Sequence, residues 1–374
     1  MNLKGFAAIT KGERVLLSFS GGSKSAIAAS ILAKQGYQVT AVHFTKRESK
    51  LFPCTANRVD QVNELVGKLG IEVHFIDIAD QYQLEVEERF LHERTMALTS
   101  NPCLRCQGKL CFEPLVAAAD KMGIRWISTG HCAQLMNSNE GDKVHVYQAM
   151  DPSVDESEFL VGLDQSVLKR LILPLGTLNQ SMLFKLAVQF ELAEVDSEEK
   201  IFSRTAPCFD PYSKETQDWI ARRLPHEFTR KGIIRTAEQE IVGAHDGLFR
   251  YPLGLGTREL KIESEPTKYL VIESFDAKSN ELRIGPKKLL DHKGFIMKSA
   301  FFIIPVDQMK TNMVSVKFQS RKELFSGEVM LFETGRVKLL LGSSISKVGL
   351  GESVAFYFKQ ELLGGAVVEA YADE

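Results

Sequence analysis

Two short stretches of the chain hold residue types whose spacing suits chemistry. SFSGGSKSAIAAS, residues 18–30, sets Ser20, Gly21, Gly22, Ser23, Lys24 and Ser25 between an apolar run and a helical one. Glycines let the backbone turn tightly and approach a ligand. The amides at the start of the following helix then face an anion, so the spacing predicts a phosphate-binding loop. The pattern is neither GxxxxGK[ST] nor GxGxxG. SNPCLRCQGKLCF, residues 100–112, carries Cys103, Cys106 and Cys111 just ahead of a predicted helix, where thiolates are favoured. A CxxC of this kind serves as a redox pair, as half a zinc site or as part of a cluster ligand set. No second CxxC accompanies it, and the next candidate partner is Cys208, in TAPCFDP, far downstream among turn residues. Cys54, Cys111 and Cys132 read as buried small apolar residues.

These residues need elements to hold them. The first 135 residues repeat one rhythm, a short β-branched run, a loop and a helical segment, which predicts a parallel sheet. Strands are expected at 15–19, 39–44, 73–78 and 124–128, and helices at 26–34, 59–69 and 110–122. Gly36, Gly70 and Gly123 each follow a helix, where a left-handed residue ends it. The first strand-to-helix turn of a doubly wound sheet is a common nucleotide site, and the glycine loop occupies that place.

At 374 residues, with 44% hydrophobic and 25% charged, the chain reads as a globular protein of two or three domains. Six scattered cysteines are too few for a secreted disulfide framework. The start shows no export signal, and no run of apolar residues is long enough to span a membrane, so a cytoplasmic protein with no membrane partner is expected. A net charge of −2 gives no global positive field. The densest basic window holds Arg222, Arg223, Arg230, Lys231 and Arg235, a candidate RNA contact. After 295 come short alternating runs such as MVSVKF and SVAFYF, the pattern of a small β-barrel. The expected domains are 1–210, nucleotide-binding; 211–294, small and central; and 295–374, the barrel.

Taken in order, SGG, SNPxxxCQ, TGHCAQ at 129–134, DESEFL, LPLG, a lone PCF cysteine, GAHDGLFRY and GESVAFYFKQELLGGAVVE resemble the tRNA-specific 2-thiouridylases. The resemblance covers most of the chain. It implies a doubly wound parallel sheet of the PP-loop ATP pyrophosphatase type, a small middle domain and a terminal β-barrel. It also implies an ATP-dependent sulfurtransferase that adenylates a uracil carbonyl oxygen of tRNA and replaces it with sulfur, forming 2-thiouridine. Ser20 to Ser25 would hold the phosphates, Phe44 and Thr45 would face the adenosine, and Gly130 and His131 would approach the nucleotide. The catalytic cysteine falls on Cys106 and the second cysteine on Cys208; a sulfur-donating protein or sulfide supplies the sulfur.

The chain departs from that pattern in ways that bear on its cofactors. Lys24 stands where the loop usually has an aspartate, which bears on Mg2+. Cys103 also stands where the resemblance places an aspartate, so Cys103, Cys106 and Cys208 form a candidate ligand set for a 4Fe-4S cluster. The segment 154–160 reads VDESEFL instead of KDQSYFL. An alternative expectation is an RNA-binding or redox-sensing relative carrying such a cluster.

Overall fold

A computed structural model describes residues 10–48, 58–99, 102–138, 143–192, 210–260, 262, 269–303, 312–332 and 335–372. Four of its strands are those the apolar runs predict: β1 (Arg14–Ser18), β2 (Gln38–Thr45), β3 (Glu72–Asp77) and β4 (Trp126–Ser128). Val15, Leu16 and Leu17 are fully buried, as expected of a strand covered on both faces. Burying each such side chain stabilises the sheet by about 2 kcal/mol. Three helices fill the expected places, α1 (Ser23–Lys34), α2 (Val59–Leu69) and the helix Lys109–Lys121. Gly70 ends α2 at φ +63 and Gly123 ends the Lys109–Lys121 helix at φ +62.

All pairings in this sheet are parallel, in the order β3-β2-β1-β4 followed by the two-residue strand Leu171–Ile172. The order reverses between β1 and β4. Ligands of doubly wound sheets bind at the carboxyl ends of strands where the order switches, and here that crevice lies between the glycine loop after β1 and Thr129–His131 after β4. The cysteine helix, Pro102–Gln107, runs into the Lys109–Lys121 helix, which packs on β1 and β4.

A four-stranded sheet, within residues 232–285, follows. The last part of the chain is a closed six-stranded antiparallel barrel. Its neighbours run Asp291–Phe302, Val337–Ser346, Leu324–Leu331, Met313–Phe318, Ser353–Phe358 and Glu361–Tyr371, and the first strand pairs with the last. Phe295, Phe318 and Phe356 fill its interior. The sequence expectations lack the helical stretch 79–95, the short helix Pro102–Gln107 and a hairpin, Ala133–Asn137 with Val144–Gln148, that extends the barrel sheet with Val146 opposite Leu362. The parallel sheet and the barrel are thereby joined directly. Among the described residues, no helix is long and apolar enough to cross a membrane.

Candidate active site

The glycine loop is held from three sides. Ser25 Oγ donates to the Gly22 carbonyl at 2.8 Å, Ser20 Oγ lies 3.2 Å from Ser25 Oγ, and the Gly22 amide donates to Ser20 Oγ. Gly22 starts α1 without a side-chain cap, so the first-turn amides face the loop. Gly21 turns at φ +75, and a Cβ there would stand 2.9 Å from Val62 of α2. From the far side comes Gly130, where a Cβ would stand 2.9 Å from the Ser25 nitrogen and 3.1 Å from the Lys24 carbonyl carbon. The glycine of TGH therefore lets the end of β4 lie directly on the loop. His43, missed by the sequence reading, donates from Nδ1 to the Phe19 carbonyl at 2.7 Å and ties β2 to the loop's root. Burial, aided by Lys46 and Arg58 against that hydrogen bond, lowers its pKa.

Lys24 points at Glu156, Nζ to Oε1 2.6 Å, with the two side chains 23% and 20% exposed. Glu156 Oε2 accepts the Cys132 amide at 3.1 Å. Burial pushes this carboxyl up, but the Lys24 ammonium, with His131 and the hydrogen bonds, holds it below the usual carboxylate range. It is an anion at neutral pH. His131 is buried against Phe112 and Phe159 with Nδ1 2.8 Å from Thr129 Oγ1. Burial, with the Lys24 charge, lowers its pKa against the pull of Glu156, so the ring is neutral. Phe44 packs into the core cluster behind β1, and Thr45 Oγ1 donates to the Ile76 carbonyl at 3.4 Å.

The neighbours of Glu156 reach the other way. Asp155 accepts from the Ala149 and Ser157 amides, Ser157 Oγ lies 3.0 Å from Tyr357 Oη, and Glu158 pairs with Lys317 at 2.9 Å. A four-residue segment thus holds the glycine loop on one side and the barrel on the other.

Cys106 sits at the end of the short cysteine helix, half-buried against Tyr82, Val86 and Leu110. Tyr82 and Val86 lie at and within a π-helical turn, Gln83–Glu88, four residues apart on the side that meets Cys106. Lys46, the residue after β2, brings Nζ to 3.7 Å from Cys106 Sγ and to 5.1 Å from the Tyr82 ring centre. An ammonium at that distance favours a thiolate. Lys46 escaped the sequence reading because a lysine past a strand end carries no signal of its own.

The remaining cysteines divide by environment. Cys103 is buried. Burial raises the Cys111 thiol, whose Sγ lies 3.6 Å from Ser18 Oγ, and pushes Cys132 up to about 12. Native protein treated with iodoacetamide at about pH 8 is therefore expected to be modified at Cys106 and not at Cys111 or Cys132, as read by peptide mass spectrometry; labelling of Cys132 in folded protein would contradict this environment. Cys54 and Cys208 lie outside the described residues, and among the described residues no group of three or more His, Cys, Asp or Glu is placed to hold a metal ion. Cys103 and Cys106 share one helix, three residues apart, so two members of the proposed cluster set are near neighbours.

Of the basic window, Arg222, Arg223, Arg230 and Lys231 are exposed, with Arg223 stacked over Trp219. Arg235 differs, since its guanidinium pairs with Glu281 and donates to the Gln239 carbonyl. A cleft of about 1400 Å³ opens between the cysteine-bearing helices and the barrel, lined by bases and acids together, among them Arg89, Arg105 and Lys298 and Glu88, Glu113 and Asp164.

The chain matches the tRNA methyl transferase HUP domain family over residues 13–203 and the aminomethyltransferase β-barrel domain over residues 292–368. Proteins named tRNA-specific 2-thiouridylase align over nearly their whole length. The one from Listeria monocytogenes is 26% identical over 95% of this chain and 94% of its own. Those from Actinobacillus succinogenes and Haemophilus influenzae are 29% and 28% identical, over 95% of this chain and 91% and 93% of theirs. A solved 4-thiouridine synthetase–RNA complex with bound ATP is 15% identical over 57% of this chain and 50% of its own, with a TM-score of 0.31. With both domain matches in chain order, on the sheet and barrel just described, the chain belongs to the tRNA methyl transferase HUP domain family, as a 2-thiouridylase-like member.

Proposed function

We propose that the protein is an ATP-dependent tRNA sulfurtransferase that forms 2-thiouridine. The observation that carries this reading is the placement of Cys106 beside Lys46 on the same edge of the sheet as the glycine loop. The relatives' name agrees with it. The uracil C2 carbonyl is a poor electrophile, and its oxygen needs conversion to a leaving group. Attack of that oxygen on the α-phosphorus of ATP, with pyrophosphate held at Ser20–Ser25, makes an O-adenylated base.

Sulfur then arrives through Cys106. A sulfur-donating protein that carries a persulfide passes its outer sulfur to the Cys106 thiolate, the donor's own thiolate leaving, and the terminal sulfur of the resulting Cys106 persulfide attacks C2 as AMP departs with the oxygen. Cys208 next attacks Cys106 Sγ, the thiolated base leaves with the electron pair, and a Cys106–Cys208 disulfide remains for a thiol reductant to reset. The persulfide route is supported over a cluster-bound sulfide by Lys46, whose charge suits an anionic sulfur. The exposed Arg222, Arg230 and Lys231 suit an RNA backbone.

Nucleosides from a strain lacking the gene, analysed by mass spectrometry, should lack one thionucleoside, restored by the wild-type gene. An unchanged thionucleoside profile removes the reading. Pyrophosphate release on mixing protein, ATP and tRNA separates it from an RNA-binding relative without adenylation.

A further inference from the structure

Nucleotide phosphates normally travel with Mg2+, and a protein that holds this ion offers it carboxylate or other oxygen donors in octahedral array. The phosphate loop does not fit that demand. Its fifth position is an ammonium, Lys24, and the carboxylate nearest to it, Glu156, is engaged by that ammonium and by the Cys132 amide. The other acids nearby serve the backbone: Asp151 accepts from the Ser153 and Gln180 amides, and Asp155 from those of Ala149 and Ser157.

The pair is built into the fold from both ends. Lys24 lies in the first turn of α1, whose backbone is pressed by Gly130. Glu156 lies between Asp155 and Ser157, which are fastened to Ala149 and Tyr357. The loop thus carries a cation together with the half-buried carboxylate that orients it.

We propose that Lys24 is the loop's own phosphate-neutralising cation, positioned by Glu156, so that the protein binds the nucleotide's phosphates without a metal ion held by its side chains. The assignment rests on the reading of Ser20–Ser25 as a phosphate site. In the free protein the pair is neutral overall. An arriving phosphate shares the Lys24 ammonium with Glu156, and the first-turn amides of α1 complete the contacts. Arginine, a planar fork, would suit this place less well than a lysine, a point charge on a flexible stem that serves two anions in turn.

The test is calorimetric titration of the full-length protein with ATP and with inorganic pyrophosphate, once in excess EDTA and once in excess Mg2+. Affinities in the two buffers should agree within about threefold for the wild type. Lys24→Met should weaken metal-free binding at least about 30-fold, the effect of losing one charge-assisted contact to phosphate. Because Lys24→Met leaves a carboxylate without its ammonium, the double variant Lys24→Asp with Glu156→Gln, which removes that carboxylate, serves as a second probe. It should bind with Mg2+ at least about tenfold more tightly than in EDTA. A wild type that binds only with Mg2+, or a Lys24→Met protein that keeps its metal-free affinity, overturns the assignment and leaves the sulfurtransferase reading standing. Absence of binding in both buffers overturns both.

Discussion

Cys106→Ala should abolish thionucleoside formation, leaving less than about a thousandth of the wild-type rate, while nucleotide binding stays within about twofold. The loss is expected to be nearly complete because the sulfur passes through this one atom. Binding should persist because Cys106 lies on the helix ahead of Lys109–Lys121, whereas the glycine loop is shaped by Val62, Gly130 and the Ser20–Ser25 contacts. Lys46 gives a graded version of the same result. Lys46→Met removes the ammonium 3.7 Å from Sγ and should slow alkylation of Cys106 at neutral pH by about tenfold; Lys46→Arg should recover much of that rate. A purely structural lysine would affect thermal stability and leave alkylation of the folded protein unchanged. Thiolation that survives Cys106→Ala would assign the sulfur chemistry elsewhere.

The parallel sheet was legible because its central strands are covered on both faces. Val15 to Leu17 then reads as an unbroken apolar run, and the glycines after the helices mark where each run of helical periodicity ends. The hairpin of Ala133–Asn137 and Val144–Gln148 was not legible, since its partner is Glu361–Tyr371 at the far end of the chain. Leu171–Ile172 is too short for any periodicity to declare it. Both are held by tertiary pairing, which a local pattern does not carry.

The site shows the same division. Loop residues Ser20 to Ser25, Gly130 and Cys106 announce themselves by type and by position at strand and helix ends. Lys46 and His43 act through geometry that their own letters do not show. Lys24 and Glu156 were each visible as departures from the resembled pattern, but the salt bridge between them needed the fold, which brings the turn after the hairpin over the first turn of α1. Arg235 shows the converse. Its sequence window is basic, yet its place on the Gly232–Thr236 strand beside Glu281 makes it an internal partner of that sheet.

Gly130→Val should lower affinity for ATP by about a hundredfold, the scale of effect that follows from displacing a binding element by about an ångström. The argument is steric. A Cβ at position 130 stands 2.9 Å from the Ser25 nitrogen and 3.1 Å from the Lys24 carbonyl carbon and Ser25 Cα, all of them backbone atoms. Neither side has room to withdraw. Behind Ser25, residues Ala26 to Ala29 of α1 are buried in the core, and behind Gly130, Ser128 donates from Oγ to the Ile172 carbonyl within the sheet. The loop itself must shift, and with it the Lys24 ammonium and the first-turn amides. Overpacking of this kind also costs about 1–3 kcal/mol of stability, so the control must separate folding from binding. Gly67 supplies it: on the exposed face of α2, its Cβ would meet nothing within 4 Å. Gly67→Ala should raise stability slightly, by up to about 1 kcal/mol as alanine replaces glycine in a helix, and leave ATP affinity unchanged. A folded Gly130→Val protein that binds ATP as tightly as the wild type would show that the end of β4 does not shape the phosphate site.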